Sequence, residues 1–131
     1  MELCEFCYPE LNDNQIIILE NDVCRFMCLK DNAGSGRPLE GSGVIVTKAH
    51  RLSPFELTDG EWMGIKRLFE KVKEYIDEMY QPDGFNIGWN VGETGGQHIP
   101  HCHLHIIPRY SDESLAGQGI RSYLKSDKNI R

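Results

Sequence analysis

The sequence lacks the long apolar run and the excess of positive charge that mark two large classes of protein. No stretch approaches the roughly 18 apolar residues of a transmembrane helix, so we expect no membrane partner. Lysine and arginine together number 14 against 20 aspartate and glutamate residues, which gives a net charge of −6. This balance argues against a nucleic-acid partner, because nucleic-acid binding relies on broad positive surfaces. Any phosphate-binding site must therefore be local.

The N-terminus also lacks a basic segment followed by an apolar run and carries Glu2 and Glu5 instead, so we expect a cytoplasmic location. Cysteine occurs five times, an odd count, and only Cys4 and Cys7 form a CxxC. An odd number of cysteines without a secretion signal favours thiol or metal chemistry over a disulfide framework. The remaining three are expected to be small buried hydrophobes, and we assign them no role: Cys24, Cys28 and Cys102.

Length and periodicity predict one domain over residues 1–131, with no internal repeat. Strand-forming residues predict strands over 15–20, 23–29, 44–47, 85–91 and 101–107. Thr58 and Glu61 have capping-box spacing, and apolar residues then recur at steps of three and four to Tyr80, which predicts one long helix. The glycine-rich segment 30–43 is expected to be a loop without regular structure. The fold class is therefore α+β, with an antiparallel meander packed by one face against the helix and its other face free for chemistry.

Four of the five histidines lie within eight residues, at positions 98, 101, 103 and 105. Because side chains alternate along a strand, His101, His103 and His105 are predicted to project from one face. A lone histidine usually packs in a core or faces solvent. Three on one face leave polar groups unsatisfied unless they hold a ligand, an anion or a metal. The pattern indicates either a three-histidine metal site or nucleophilic and acid–base chemistry on phosphate.

The run His101-Cys102-His103-Leu104-His105-Ile106-Ile107 resembles the signature of the histidine-triad family. Segments 44–50, 86–92, 95–97 and 108–110, together with the long helix, also stand where that family has equivalents, so the resemblance covers most of the chain. It implies the fold of that family, with residues 1–10 as a zinc-binding N-terminal segment. Residues 111–131 would form a C-terminal tail near the active site.

The resemblance implies that His103 attacks the α-phosphorus of a purine nucleotide derivative, either a nucleoside phosphoramidate or a dinucleoside polyphosphate. Water would then hydrolyse the covalent nucleotidyl-histidine. His105 would bond a non-bridging phosphate oxygen, and Gln97 would place the phosphate and later the water. Asn90 matches a family position in the nucleotide pocket. His98 stands where the family usually has serine or threonine; it would assist the leaving group as a protonated acid or point away, so the choice of substrate stays open.

The ribose-binding position departs from the family pattern. Members commonly have an aspartate or asparagine shortly after the second strand, where it holds the ribose hydroxyls. Cys28 falls near that position in this chain, and the following loop is longer than usual. Asp31 and Asn32 are the nearby substitutes, and the sequence does not rank them.

The resemblance also implies a structural zinc ion, one per chain. Many bacterial members with a similar CxxC complete the site with a histidine at the position of His50 and with the first histidine of the triad. Cys4, Cys7, His50 and His101 would then form a closed Cys₂His₂ set, while His103 and His105 remain for phosphate. The alternative is that Cys4 and Cys7 are free thiols near a flexible N-terminus.

Three functions remain open at this point. The first is a nucleotide hydrolase or transferase, expected as a homodimer because family members pair through the long helix and an adjoining strand. The second is a nucleotide-binding signalling or interaction module with vestigial turnover. The third is a metal carrier that uses all the histidines.

Overall fold

The computed structural model describes residues 3–34 and 36–131. Met1 and Glu2, at the start of the predicted zinc-binding segment, and Ser35, in the predicted loop, lie outside the described residues. The regular elements of the described part are β1 (Gln15–Glu20), β2 (Cys24–Leu29), β3 (Gly43–Thr47), α1 (Asp59–Tyr80), β4 (Gly84–Trp89) and β5 (His103–Arg109). The predicted α+β class is confirmed.

The five strands form one antiparallel sheet in the order β1-β2-β3-β5-β4. This order corrects the simple meander expected from the sequence, because β5 inserts between β3 and β4. The chain leaves β3, runs through α1 and β4, and then returns as β5 between β3 and β4. In the resulting register His103 pairs with Val46, and His105 pairs with Val44 on one side and Gly88 on the other. The histidine strand is therefore held along both of its edges.

The long helix begins and ends where the sequence predicts. The hydroxyl of Thr58 accepts a hydrogen bond from the Glu61 N–H at 3.1 Å, and the Thr58 N–H donates to the Glu61 carboxylate at 2.8 Å. Gln81 follows Tyr80 in the left-handed conformation, which ends the helix. The buried stripe of the helix packs on the inner residues of the sheet: Ile65, Leu68, Val72 and Ile76 against Phe26, Ile45, Leu104 and Ile106. None of the helices in the described ranges has the length and apolar character needed to cross a membrane.

The last strand begins two residues later than predicted. The Cys102 N–H donates to the carbonyl of Arg51 at 2.7 Å, and the His101 N–H donates to the carbonyl of Ile99 at 2.8 Å. Both donors are therefore used outside the sheet, which moves the start of β5 from His101 to His103. The other strand boundaries lie within two residues of prediction. The described residues of the 30–43 loop include a 3₁₀ turn, Lys30–Asn32, that the sequence did not predict.

The sheet face opposite α1 is not free along its whole length. Phe6 is only 5% exposed and packs with Met27 and Val46 on this face, and its ring lies 5.0 Å from the ring of His103. The N-terminal segment therefore covers part of β5 on this face.

Candidate functional site

His103 has the geometry of a neutral nucleophile. Its side chain is 7% exposed, and its Nδ1 atom lies 2.8 Å from the backbone carbonyl oxygen of His101. Because a carbonyl only accepts hydrogen bonds, Nδ1 carries the proton and Nε2 keeps the lone pair. Burial lowers the pKa of His103, which favours the neutral ring. The ring can therefore attack an electrophile through Nε2 without first losing a proton.

His105 lies beside His103, with 4.8 Å between ring centroids. Its Nε2 atom is shielded from solvent and has no hydrogen-bond partner among the described residues. Burial lowers the pKa of His105 as well. A buried polar atom without a partner costs free energy, so its presence indicates a position where a ligand supplies the missing bond.

A cavity of about 470 Å³ opens on these two residues and is also bordered by the exposed His98. We call it the histidine cavity; its walls include Phe6, Met27, Asn32 and Val44. The volume lies in the range of small-molecule sites. The structure thus brings together three of the four predicted catalytic residues, with an apolar wall on one side and imidazoles on the other.

Gln97, the fourth predicted catalytic residue, uses its side-chain amide within its own loop. The amide donates to the carbonyls of Leu52 at 2.9 Å and Ile99 at 3.1 Å and accepts from the Gly92 N–H at 2.9 Å. It lines a separate opening of about 550 Å³ next to the histidine cavity, and His98 borders both. In this arrangement Gln97 positions the loop that carries His98 and does not direct its amide toward His103.

Of the two ribose candidates, Asn32 lines the histidine cavity and Asp31 does not. The Asn32 amide donates to the carbonyl of Pro38 at 2.8 Å, whereas the Asp31 carboxylate accepts from the Asn14 amide at 3.2 Å. Cys28 packs in the core between the sheet and α1. The geometry therefore ranks Asn32 first.

The four predicted metal ligands converge, with their ligand atoms within 4.8 Å of one another. The sulfurs of Cys4 and Cys7 each lie 3.4 Å from Nδ1 of His101, and the Cys7 sulfur lies 3.3 Å from Nδ1 of His50. A tetrahedral zinc ion with bonds of about 2.0–2.3 Å separates its ligand atoms by roughly 3.5 Å. The donor set and its spacing fit zinc.

His101 is pre-oriented for this task. Its Nε2 lies 2.8 Å from the carbonyl oxygen of Thr47, so Nε2 carries the proton and Nδ1 presents its lone pair to the two sulfurs. Burial lowers the pKa of His101 to about 4 and keeps the ring neutral. Burial also raises the pKa of Cys7 to about 11, so a bound cation would favour its thiolate form.

The other three cysteines are buried, as predicted, and burial raises the pKa of each to about 11. Protonated buried thiols are inert. Within residues 3–34 and 36–131 the metal-type cluster contains His50 and His101 but neither His103 nor His105. This division disfavours a carrier that uses all the histidines.

Two residues that matter for the site were missed at the level of sequence. Phe6 covers His103, and the only sequence signal was an aromatic residue inside the CxxC. Arg109 holds the C-terminal tail through its ion pair with Glu113 and a hydrogen bond to the Leu115 carbonyl at 2.7 Å. The sequence shows Arg109 and Glu113 four residues apart, but no local pattern indicates that they form an ion pair.

Comparison with known proteins gives consistent matches. Residues 40–112 match the family described as HIT domain. The chain is 32% identical over 92 residues to the adenosine 5'-monophosphoramidase hnt1 of Schizosaccharomyces pombe, covering 70% of this chain and 66% of that protein. It is 32% identical over 108 residues to the AP-4-A phosphorylase of Mycobacterium tuberculosis, covering 81% and 53%. The chain thus spans between about half and two thirds of the length of these relatives. The crystal structure of a HIT family member from Bacillus subtilis superposes with a TM-score of 0.70 at 27% identity, covering 85% of this chain and 76% of that one.

Proposed function

The chain belongs to the HIT domain family, and from that membership we propose that it is a nucleotide hydrolase or transferase that works through a covalent nucleotidyl-His103 intermediate. Nε2 of His103 attacks the α-phosphorus of a purine nucleotide derivative. The bond from phosphorus to the leaving group breaks, and the leaving group departs with the bonding electrons. Water then attacks the same phosphorus, and the phosphorus–Nε2 bond breaks with its electron pair returning to the His103 ring. The nucleoside monophosphate leaves, and the water's proton passes to solvent.

The observation that carries this proposal is the 2.8 Å hydrogen bond between Nδ1 of His103 and the carbonyl of His101. It fixes the tautomer with a free Nε2, and the carbonyl can stabilise the positive charge that the ring gains as it attacks. The activities named for the two relatives, a monophosphoramidase and an AP-4-A phosphorylase, support a nucleotide substrate. They leave both the phosphoramidate and the dinucleoside polyphosphate as candidates.

We assign supporting roles to the residues around the nucleophile. His105, with its unpartnered Nε2, bonds a non-bridging oxygen of the phosphate. His98 protonates the leaving group from the rim of the cavity. Gln97 places the phosphate and the water, a role that requires its amide to leave the carbonyls of Leu52 and Ile99. Asn90 lies outside the histidine cavity, on the other side of His105, and would reach the phosphate of the bound nucleotide from there.

We propose one zinc ion per chain, held by Cys4, Cys7, His50 and His101. Zinc with four protein ligands has no open coordination position and would supply a cross-link, not catalysis. Through His101 this cross-link would tie the N-terminal segment to the carbonyl that orients His103. A reducing compartment such as the cytoplasm would keep both thiols available.

We also propose that the chain acts as a homodimer that pairs through β4 and α1. Strand β4 lies at the edge of the sheet, so one row of its backbone groups lacks a strand partner. Next to this edge Ile87 is 39% exposed, and Trp62 of the helix is 44% exposed and packs edge-on against Trp89 at 6.0 Å. An apolar edge of this kind is suited to a second copy.

A substrate panel tests the proposed activity. The protein is incubated with adenosine and guanosine phosphoramidates, dinucleoside polyphosphates and nucleotide sugars, and the products are identified by chromatography. Release of a nucleoside monophosphate by the unsubstituted protein, abolished in His103→Ala, supports a hydrolase. Tight nucleotide binding without turnover by either protein contradicts it and favours the signalling module.

A further inference from the structure

A second cavity lies on the same face of the sheet, on the far side of His105. It also measures about 470 Å³, and Leu39, His105 and Ile107 form the ridge that it shares with the histidine cavity. We call it the tail cavity. Its other walls come from β4 and from the C-terminal segment: Asn86, Gly88, Asn90, Ile120, Ser122 and Tyr123. Two spaces of equal size therefore flank the residue assigned to the phosphate.

The absence of a side chain at Gly88 makes this space. Gly88 pairs directly with His105 in the sheet, so any side chain there would stand beside the imidazole on the same face. The tail packs over part of this gap, because a Cβ atom placed on Gly88 would be in van der Waals contact with the end of Ile120, at 3.6 Å. The remaining volume is open next to the phosphate position.

The wall formed by the tail is anchored. The guanidinium of Arg109 bonds the Glu113 carboxylate, with Nε at 2.8 Å, and the carbonyls of Leu115 and Gln118. It also bonds the side-chain oxygen of Asn86 on β4. One partly buried ion pair thus holds residues 113–118 against the sheet, with 18% and 15% of the two side chains exposed. The residues that follow, from 119 onward, therefore lie along the edge of the tail cavity.

The tail carries positive charge in an acidic chain. Residues 119–131 contain four basic residues and one acidic residue, a net charge of 4 − 1 = +3, whereas the whole chain has −6. Arg121 and Lys125 border an opening that shares Asn86, Ile120 and Ser122 with the tail cavity. Both side chains are exposed and free of ion pairs in the part of the chain that the structure describes. Positive charge at this edge suits a phosphate-bearing ligand.

We propose that the tail cavity binds the leaving nucleotide of a dinucleoside polyphosphate, an inference that rests on the proposed function. The nucleotide to be transferred occupies the histidine cavity, and the phosphate chain crosses the ridge at His105. The new bond forms between Nε2 of His103 and the α-phosphorus. The bond from that phosphorus to the bridging oxygen breaks, and the departing nucleoside polyphosphate keeps the oxygen and its electron pair. Arg121 and Lys125 neutralise the remaining phosphates, and the exposed ring of Tyr123 stacks on the second base.

The test compares two substrates that differ only in what leaves. Diadenosine tetraphosphate releases a nucleotide into the tail cavity, whereas adenosine 5'-phosphoramidate releases ammonia and has nothing to place there. Arg121→Ala/Lys125→Ala and Tyr123→Ala are measured with both. Each should lower kcat/KM for diadenosine tetraphosphate about tenfold. Each should change kcat/KM for the phosphoramidate less than about twofold.

The matched control is Lys128→Ala/Arg131→Ala, which removes the same charge from the same tail at two positions outside the cavity walls. It should change neither value by more than about twofold. Equal losses on both substrates, or an equal loss in the control, would overturn the second subsite. Turnover of the phosphoramidate alone by the unsubstituted protein would also overturn it while leaving the proposed function intact. Turnover of neither substrate would refute the proposed function itself.

Discussion

The carbonyl of His101 and the ring of His103 are joined by a 2.8 Å hydrogen bond, and the ring of His101 itself faces the sulfurs of Cys4 and Cys7. One residue therefore serves two sites: its side chain belongs to the metal cluster and its backbone orients the nucleophile. If His101 and His103 both belonged to a regular strand, their rings would lie side by side on one face. His101 instead lies in the turn before β5, where its carbonyl oxygen can accept the hydrogen bond from the ring of His103.

We expect about one zinc ion per chain as purified. Cys4→Ser should release the metal and lower Tm by about 5 °C or more, because metal binding contributes to folding free energy. The measurements are metal analysis by mass spectrometry and thermal unfolding. Glu10→Ala, an exposed substitution in the same segment, is the control and should retain both metal and Tm. A metal-free protein with unchanged unfolding would contradict the cross-link.

The His98→Ser variant tests the role of His98 at the rim. If His98 protonates the leaving group, its loss should slow substrates with poor leaving groups about a hundredfold and those with good leaving groups far less. The comparison uses a series of phosphoramidates whose amines differ in basicity, with kcat/KM plotted against leaving-group pKa. Parallel losses across the whole series would remove His98 from proton transfer.

The buried carboxylate of Glu61 should make stability depend on pH. Burial would raise its pKa, but bonds from the Thr58 N–H and from the Arg51 guanidinium, at 3.1 Å, outweigh burial and lower the pKa. A lowered folded-state pKa means that this stabilisation is present above the unfolded-state value of about 4.5 and is lost as the pH falls below it. Glu61→Gln should therefore lose less stability than the unsubstituted protein as the pH falls from about 5 to about 3.

The measurement is urea unfolding across that pH range. Glu70→Gln is the control, because Glu70 pairs with Lys66 on the exposed face of the helix, where ion pairs contribute little. Its pH dependence should match that of the unsubstituted protein. Identical pH profiles for Glu61→Gln and the unsubstituted protein would contradict the role of the buried pair.

Two exposed isoleucines at opposite edges of the sheet test the homodimer. Ile87 on β4 is 39% exposed and Ile17 on β1 is 41% exposed. Ile87→Asp should convert a dimer into a monomer because it places a charge in the paired edge, whereas Ile17→Asp should leave the dimer intact. Sedimentation equilibrium gives the mass directly. A monomeric unsubstituted protein, or a dimer lost in Ile17→Asp, would contradict pairing through β4.

Local patterns predicted the elements of this fold better than their arrangement. The Thr58 capping box and the apolar stripe defined α1 because helix signals are contained within a few turns. The place of β5 in the sheet was not predictable, because it depends on pairing with strands far away along the chain. The same holds for the start of β5, which moved to His103 because Cys102 bonds the distant Arg51.

The candidate site divides in the same way. The histidine spacing predicted a chemical face and the resemblance assigned its residues, and the structure places His98, His103 and His105 around one cavity. The engagement of Gln97 with its own loop was not visible, since an amide side chain has equally good partners in a backbone or a ligand. The cover formed by Phe6 depends on where the N-terminal segment packs, which no local pattern encodes.

The central claim is the covalent bond to His103. The protein is mixed with substrate, quenched in alkali because phosphorus–nitrogen bonds hydrolyse in acid, digested, and analysed by mass spectrometry. We expect a nucleotidyl adduct on the peptide that contains His101–His105, and peptide fragmentation should locate it on His103. The adduct should be absent in His103→Ala, which should lose several orders of magnitude in turnover. His105→Ala should still form the adduct, about a hundred- to thousandfold more slowly. Turnover in His103→Ala equal to that of the unsubstituted protein would contradict the covalent mechanism.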